Sequence, residues 1–196
     1  MSLHEGFFDR NKPLQIRWGD LPHWRQEGAL YFVTFRLSDS LPQSKLAAWR
    51  EEIERWCKSH PEASPGEVGT FTRRQRRKIE RWLDRGYGSC FLRDLKARAI
   101  VESAIRYFEG ERYDLGRFTV AANHVHAIVR PYGAFDLSEI LHSWKRHMSK
   151  ELRRLPNISA ALRDAPHLWQ VESFDHIVRS QRSLARITAY IMNHDA

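Results

Sequence analysis

The stretch FTVAANHVHAIVR, residues 118–130, decides the fold that this chain is expected to adopt. It is typical of two β-strands, Arg117–Ala122 and His124–Pro131, joined by a tight turn. Because side chains alternate along a strand, His124 and His126 share one face and the residues between and after them point to the other. Two neutral imidazoles side by side can supply half of a metal site for Zn, Mn, Ni or Co, with open positions left for a phosphate oxygen.

The histidine pair is weak evidence when it is taken alone. With 10 histidines in 196 residues, chance gives roughly 0.5 such pairs per chain, so the motif has a real false-positive rate. The alternative is a pair of strand histidines that are hydrogen-bonded at the end of a sheet.

Composition indicates one globular domain, or one domain with an insertion, and a polyanionic partner. The chain has 42% hydrophobic and 29% charged residues and a net charge of +8. Nucleic acid is the first candidate partner and an acidic membrane surface the second, whereas the alternative is a basic surface that serves only solubility.

Targeting and redox signals are few. Cys57 and Cys90 are far apart and form no CxxC motif, which predicts neither a disulfide framework nor a zinc finger. No apolar run approaches the ~18 residues of a membrane span, and the N-terminus has no signal-peptide core. We therefore expect a soluble, cytoplasmic protein that associates with the nucleoid and not with membranes.

The other elements are predicted from periodicity and breakers. Residues 1–29 carry no clear period and are expected to form an irregular arm. Before the histidine hairpin, the predicted order is a central strand Leu30–Leu37, a helix 42–59, a loop His60–Gly69, a helix Thr70–Arg85 and a helix Arg93–Glu109. In the last of these helices the residues expected to be buried are Leu95, Ile100, Ala104, Ile105 and Phe108. After the hairpin, the order is a helix Leu137–Leu155, a loop Pro156–Pro166, a short strand or extended turn Leu168–Val178, and a last helix capped by Ser180.

This order predicts an α+β fold. A strand, a helical crossover, a hairpin, a helix and a short strand make up most of a ferredoxin-like plan, an antiparallel sheet with helices packed on it. We expect residues 30–196 to form this single domain, with residues 60–88 as a helical insertion in the first crossover.

Two predicted helices carry cationic faces that could follow a phosphate backbone, although such faces are usually only solvated. On the helix Thr70–Arg85 the outward cations are Arg73, Arg74, Arg76, Arg77, Lys78 and Arg81. On the helix Leu137–Leu155 they are Lys145, Arg146, Lys150, Arg153 and Arg154. Trp144 is expected in the core of the second helix, with base stacking as the alternative. Arg36 could face solvent or phosphate.

The last helix carries a possible nucleophile. Tyr190 and His194 are four residues apart and so lie on one helix face. A tyrosine at the edge of the core with a terminal histidine is one interpretation. The other is a tyrosine that attacks a phosphodiester and conserves the bond as a phosphotyrosine, beside a cation that polarises the phosphate.

Several motifs in order resemble REP-associated tyrosine transposases, relatives of the IS200-type single-tyrosine transposases with a His-hydrophobe-His (HUH) motif. The similar segments are YFVTFR (31–36), NHVHAIVRP (123–131), LSEILHSWK (137–145), LWQVESFDHIVR (168–179) and the Tyr-Ile pair at Tyr190.

The resemblance implies an HUH domain that cleaves and transfers single-stranded hairpin DNA through a covalent 5′-phosphotyrosine. It implies Tyr190 as nucleophile, His124 and His126 as ligands of Mg or Mn, and His194 as a third ligand, in the place where the family has a polar residue that assists metal binding. The family's Tyr-Ile-x-x-Asn-Pro is here Tyr-Ile-Met-Asn-His-Asp, and its Met-Pro-Asn before the histidines is Ala-Ala-Asn. We expect Asp175 and His176 to orient the site, although a turn-capping role suits Asp175 equally. The expected DNA contacts are Arg36, Arg73, Arg74, Arg77, Arg130, Lys145, Arg146, Lys150 and Arg153.

Two other functions compete with this hypothesis. A non-catalytic nucleic-acid-binding protein on the same fold is favoured by the altered C-terminal motif and opposed by the intact histidines and tyrosine. A nucleotide hydrolase of the HxHxH kind would need a histidine where Ile128 stands. The sequence leaves both a monomer and a homodimer open.

Overall fold

A computed structural model describes residues 6–19 and 21–194, so that parts of the predicted arm (1–5 and Asp20) and residues 195–196 lie outside the described chain. The strands are β1 (Gln15–Trp18), β2 (Pro22–Arg25), β3 (Tyr31–Arg36), β4 (Tyr113–Val120), β5 (His124–Pro131) and β6 (Phe174–Ile177). The helices are α1 (Gln43–Ser59), α2 (Pro65–Leu83), α3 (Leu95–Arg106), α4 (Leu137–Leu152), α5 (Ala160–Arg163) and α6 (Gln181–Asn193), with a 3-10 turn at Phe91–Arg93.

Four strands form one antiparallel sheet in the order β4-β5-β3-β6. In chain order the sheet elements run strand, helices, hairpin, helix, strand, which is the ferredoxin-like βαββαβ plan. The predicted α+β class and antiparallel sheet are confirmed. Strand β3 is central and fully buried, as its nearly continuous apolar sequence predicts, because both of its faces are covered.

One face of the sheet carries α3 and α4 and holds the largest part of the core. Val33, Phe35, Val125 and Ala127 lie on this face with the buried stripe of α4. Trp144 belongs to that stripe and donates its indole N–H to Tyr113 Oη at 2.8 Å. Its expected core position is therefore confirmed.

The other face of the sheet is covered by α6 and by the pair α1 and α2. Leu184 and Ile191 of α6 pack on Phe32 and Ile128. Helices α1 and α2 pack on each other and on Phe174 of β6. This face carries the histidines, so that α2 and α6 are the elements that enclose them.

Helix α2 begins five residues earlier than the sequence analysis predicts. Ser64 caps it, and the Ser64 and Glu67 side chains each bond the other's backbone N–H, a capping box with Pro65 in the first turn. The predicted loop His60–Gly69 is therefore wrong for residues 65–69, because Pro and Gly near a helix N-terminus do not end it.

The N-terminal arm is also more regular than predicted. Strands β1 and β2 form an antiparallel hairpin within residues 15–25, which corrects the expectation of an irregular arm there. Arg25 of β2 makes two hydrogen bonds to Asp175 of β6, at 2.7 and 3.1 Å, and so holds the hairpin against the sheet edge. The division into an arm, a domain and an insertion at residues 60–88 stays a prediction.

Smaller expectations differ in detail from the structure. Leu95 was expected to be buried but is 79% exposed, because the buried face of α3 consists of Ala97 and Val101 together with Ala104 and Ile105, and the last two are buried as predicted. The predicted loop Pro156–Pro166 contains α5. The segment Leu168–Val178, predicted as a short strand or an extended turn, contains the short edge strand β6 at its C-terminal end. Within the described residues, no helix has both the length and the apolar character that a bilayer crossing requires.

Candidate active site

Strand β5 places His124 and His126 on the face of the sheet that α6 covers. The two side chains are 2% and 0% exposed. The residues between and after them, Val125 and Ala127, point into the core on the opposite face. The alternation predicted from the sequence therefore brings both imidazoles into one buried pocket.

Neighbouring polar groups fix how each ring is turned. Asn123 donates its amide N–H to Tyr87 O at 2.9 Å, which turns its amide oxygen toward Nδ1 of His124 at 2.8 Å. Thr34 lies opposite His126 in the β3–β5 register, and its Oγ1 is 2.8 Å from Nδ1 of His126. Both Nδ1 atoms are thus engaged, and the two Nε2 atoms meet at 3.0 Å.

Helix α6 adds the tyrosine and a third histidine. Its N-cap is Ser180, as predicted, with a side chain that accepts from Ser183 N at 3.2 Å. The Tyr190 hydroxyl lies 3.4 Å from His126 Nε2 and 3.4 Å from His194 Nε2. Buried Ile191 anchors this end of the helix. Tyr190 and His194 lie on one helix face, as predicted, and this face is turned toward His124 and His126.

The three histidines fit a divalent cation. One ligand nitrogen from each of His124, His126 and His194 lies within 4.8 Å of the others. Burial lowers the pKa of His124 to about 3 and that of His126 well below its ordinary value, so both rings are in the neutral form that metal ligation requires. A second partner on the non-ligating nitrogen is the usual support of a metal-binding histidine.

The Tyr190 hydroxyl is held in its protonated form. Burial raises its pKa above the ordinary value, and the carboxylates of Glu80 and Asp84 add to the shift, whereas Arg76 opposes it. A protonated tyrosine that attacked a phosphate would need a nearby group to offset the charge on the phosphoryl oxygens.

Helix α2 borders the site from the side opposite the sheet. Asp84 Oδ1 lies 3.2 Å from His194 Nε2. Arg76 was predicted to lie on the outer face of α2, and this prediction is wrong. Its side chain is only 21% exposed and reaches His176 on β6. Neither contact was found from the sequence, because a run of similar charged residues does not show which one turns inward.

A cleft of about 490 Å³ leads to Tyr190 between α2, β6 and α6. Its cationic lining consists of Arg73, Arg76, Arg77, Arg179 and Arg186. The guanidinium of Arg179 stands over the rings of Phe8 and Trp24, at 5.4 and 5.5 Å. Arg179 and Arg186 were missed because they stand singly in the sequence.

The other predicted DNA contacts lie in several places. Arg73 and Arg77 line this cleft, and together with Arg74 they also line a second cavity of about 540 Å³ that reaches Tyr190. Arg74 in addition donates to Glu52 at 2.8 Å. Arg146 and Lys150 are exposed on α4, which packs on the opposite face of the sheet.

Four of the predicted DNA contacts are engaged within the protein. Arg36 is 2% exposed and bonds Ser40, and Arg130 is 4% exposed and bonds Asp114. Lys145 donates to Gln170 O, Val171 O and Ser173 Oγ, and Arg153 donates to Ala165 O. For these four the contact with DNA stays a prediction that would require the side chain to exchange partners.

The two residues expected to orient the site face opposite sides of the sheet. Asp175 lies within β6, so it caps no turn, and it faces away from the histidines to bond Arg25 and His23. His176 lies on the histidine side, with its ring 5.5 Å from that of Phe32. His176 therefore remains near the site, whereas Asp175 orients the N-terminal hairpin.

Fold and site together define an α+β protein with a ferredoxin-like sheet and a buried histidine–tyrosine cluster beside an arginine-lined cleft. A family model described as IS200-like transposase matches residues 90–194, which is more than half of the chain. The chain therefore belongs to the IS200-like transposase family, as its resemblance to REP-associated transposases predicts.

Two further comparisons complete this result. Among curated proteins no match was found. A similar solved structure is a REP-associated tyrosine transposase bound to a REP hairpin, 14% identical with a TM-score of 0.47. The match covers 84% of this chain and 65% of that protein, so this chain spans less than two thirds of its length.

Proposed function

We propose that this protein is a metal-dependent endonuclease and strand transferase that acts on single-stranded hairpin DNA through a 5′-phosphotyrosine. The observation that carries the proposal is the position of the Tyr190 hydroxyl, 3.4 Å from the Nε2 atoms of both His126 and His194. A nucleophile is thereby set beside a cluster of nitrogens that can hold a cation.

In this proposal Tyr190 Oη forms a bond to the scissile phosphorus, and the bond from phosphorus to the 3′ oxygen breaks. The tyrosine proton is lost, and the leaving 3′ oxygen gains a proton, so that the products are a 3′-hydroxyl end and a 5′-phosphotyrosine. A divalent cation, Mg or Mn, held by His124, His126 and His194, would polarise the phosphate and take charge from the leaving oxygen. Strand transfer is the reverse attack by another 3′-hydroxyl.

The cleft between α2 and α6 is the route by which the strand reaches Tyr190 in this proposal. Its arginines supply positive charge from both α2 and α6, and Phe8, Trp24 and Phe32 supply apolar rings to the lining. Guanidinium groups that track phosphates, together with rings that contact bases, are the general means of binding single strands. Arg73 and Arg77 are the predicted contacts that lie there.

The experiment is incubation of the protein with a labelled library of single-stranded hairpins and Mn or Mg, followed by a denaturing gel. The proposal expects a covalent protein–DNA band from the wild type and none from Tyr190→Phe, with hairpin affinity unchanged by the substitution. Tyr132→Phe is the matched control, since that tyrosine bonds Asp114 far from the histidines. Hairpin binding without a covalent band in either metal would favour a non-catalytic DNA-binding protein.

A further inference from the structure

Arg76 differs from the neighbouring arginines of α2 because its side chain contacts His176 on strand β6. Its side chain is 21% exposed, compared with 70% for Arg74 two positions before it. Arg76 and Tyr190 line the same cleft. The residue lies outside the segment 90–194 that matches the family model.

Arg76 contacts one uncharged ring and one carboxylate. Nη1 lies 3.0 Å from Nε2 of His176, a ring whose pKa burial lowers to about 3, with a further lowering by Arg76 itself. A neutral imidazole holds the guanidinium without neutralising it. The Glu80 carboxylate is 3.4 Å from Nε, and this Nε makes no hydrogen bond within the described residues.

The surroundings of Arg76 add positive charge. After burial, which is the largest cause, the charges of Arg77 and Arg73 lower the pKa of Arg76, whereas Glu80 raises it. Glu80 and Asp175 are the acidic residues among the described residues that line the cleft, and the Asp175 side chain faces the other side of the sheet, where it bonds Arg25 and His23. A largely buried guanidinium that lines an open cleft together with other arginines is a site for an anion.

We propose that Arg76 is a catalytic residue, which donates hydrogen bonds to a non-bridging oxygen of the phosphate that Tyr190 attacks. This inference rests on the proposed function. While the Tyr190 Oη–phosphorus bond forms and the bond to the 3′ oxygen breaks, the guanidinium keeps all its protons and offsets the charge that builds on the phosphoryl oxygens. The helix α2 thus contributes a cation to the reaction.

The same geometry assigns His176 and Glu80 as positioning residues. Since His176 contacts Nη1 and Glu80 lies near Nε, the planar guanidinium is held from two sides. Lysine would carry the charge but offers no fork of donors. Arg76→Lys is therefore expected to recover part of the rate and not all of it.

The test compares the wild type with Arg76→Gln and Arg76→Lys in single-turnover formation of the covalent adduct and in equilibrium binding of the same hairpin strand. Arg55→Gln is the control, an exposed arginine of α1 that removes the same charge away from the cleft. We expect the adduct rate to fall about 100-fold in Arg76→Gln, with affinity within about threefold of the wild type and an unchanged rate in Arg55→Gln.

A strand with a methylphosphonate at the scissile linkage adds a readout that a structural role would not change. This linkage lacks the charged oxygen, so the rates of the wild type and Arg76→Gln should differ far less on it than on the natural strand. An equal loss on both linkages, or an unchanged rate on the natural strand, would overturn the role of Arg76 alone. A wild type that binds the natural strand without forming an adduct would overturn the proposed function and this inference together.

Discussion

His124 and His126 hold their Nε2 atoms 3.0 Å apart in a buried pocket, while a different neighbour engages the Nδ1 atom of each ring. At this distance the two nitrogens are held together either by a proton on one of them, which makes a hydrogen bond, or by a shared cation. The arrangement suits a pair of metal ligands, since the contacts that would support such ligands are already present.

Removal of the Asn123 amide should weaken metal binding. Asn123→Ala leaves Nδ1 of His124 without the oxygen that fixes its ring, and loss of such a partner typically costs 10–100-fold in metal affinity, so we expect a loss of about that size. Calorimetric titration with Mn checks it. Asn157→Ala, at an exposed asparagine that bonds Asp94, should bind Mn as the wild type does. Equal affinities in the two variants would show that the Asn123 contact does not support the site.

The third histidine should matter at least as much. His194→Ala removes one of three converging nitrogens, and we expect Mn affinity to fall about tenfold or more, since loss of a ligand should exceed loss of its support. His142→Ala, on the exposed side of α4, serves as the control. If His194→Ala bound Mn as tightly as the control, His194 would be a neighbour of Tyr190 and not a ligand.

Charge in the cleft should govern how DNA binding depends on salt. Each phosphate contact to a single strand contributes about 0.7 to the slope of log affinity against log salt concentration. The double variant Arg73→Gln, Arg77→Gln loses two such contacts. We therefore expect its slope to be smaller by about 1.4 and its binding to be weaker for all sequences alike. Fluorescence anisotropy between low and moderate salt gives the slope. An unchanged slope would place the DNA elsewhere on the protein.

The attachment of the N-terminal hairpin should make stability depend on alkaline pH. Burial opposes the charge of His23, but hydrogen bonds to Asp175 and Glu172 raise its pKa to about 9 from 6.5. The folded state thus holds a proton that the unfolded state releases, so the contribution is complete below pH 6.5 and lost as pH rises through 9. It amounts to at most about 3 kcal/mol.

Thermal unfolding between pH 6 and 10 checks this prediction. His23→Gln should flatten the decline of stability above pH 6.5, whereas His147→Gln, at an exposed position on α4, should keep it. A decline of the same size in both variants would assign the pH dependence to other groups.

The parts of the structure that were predicted correctly are those with local signals. Alternation placed His124 and His126 on one face, and the four-residue spacing placed Tyr190 above His194. The start of α2 also carried a local signal, the Ser64–Glu67 capping box, but the prediction missed it because it gave more weight to the proline and glycines that follow Ser64.

The parts that were missed depend on packing between distant segments. Strand β1 is exposed along its whole length, so it shows no apolar alternation that would reveal a hairpin. In the sequence Arg76 cannot be distinguished from the arginines around it, and only the packing of α2 against β6 sets it apart. The contact of Thr34 with His126 depends on the β3–β5 register, which places the two residues opposite each other. Such roles follow from tertiary contacts that no local pattern encodes.

The most direct test of the account is to find where DNA becomes attached to the protein. Wild-type protein is incubated with Mn and a hairpin strand, digested with protease and nuclease, and analysed by mass spectrometry. We predict a nucleotide joined through its 5′ phosphate to the peptide that contains Tyr190, and no adduct in Tyr190→Phe. Attachment to another residue, or cleaved DNA without any adduct, would contradict the central claim that Tyr190 is the nucleophile.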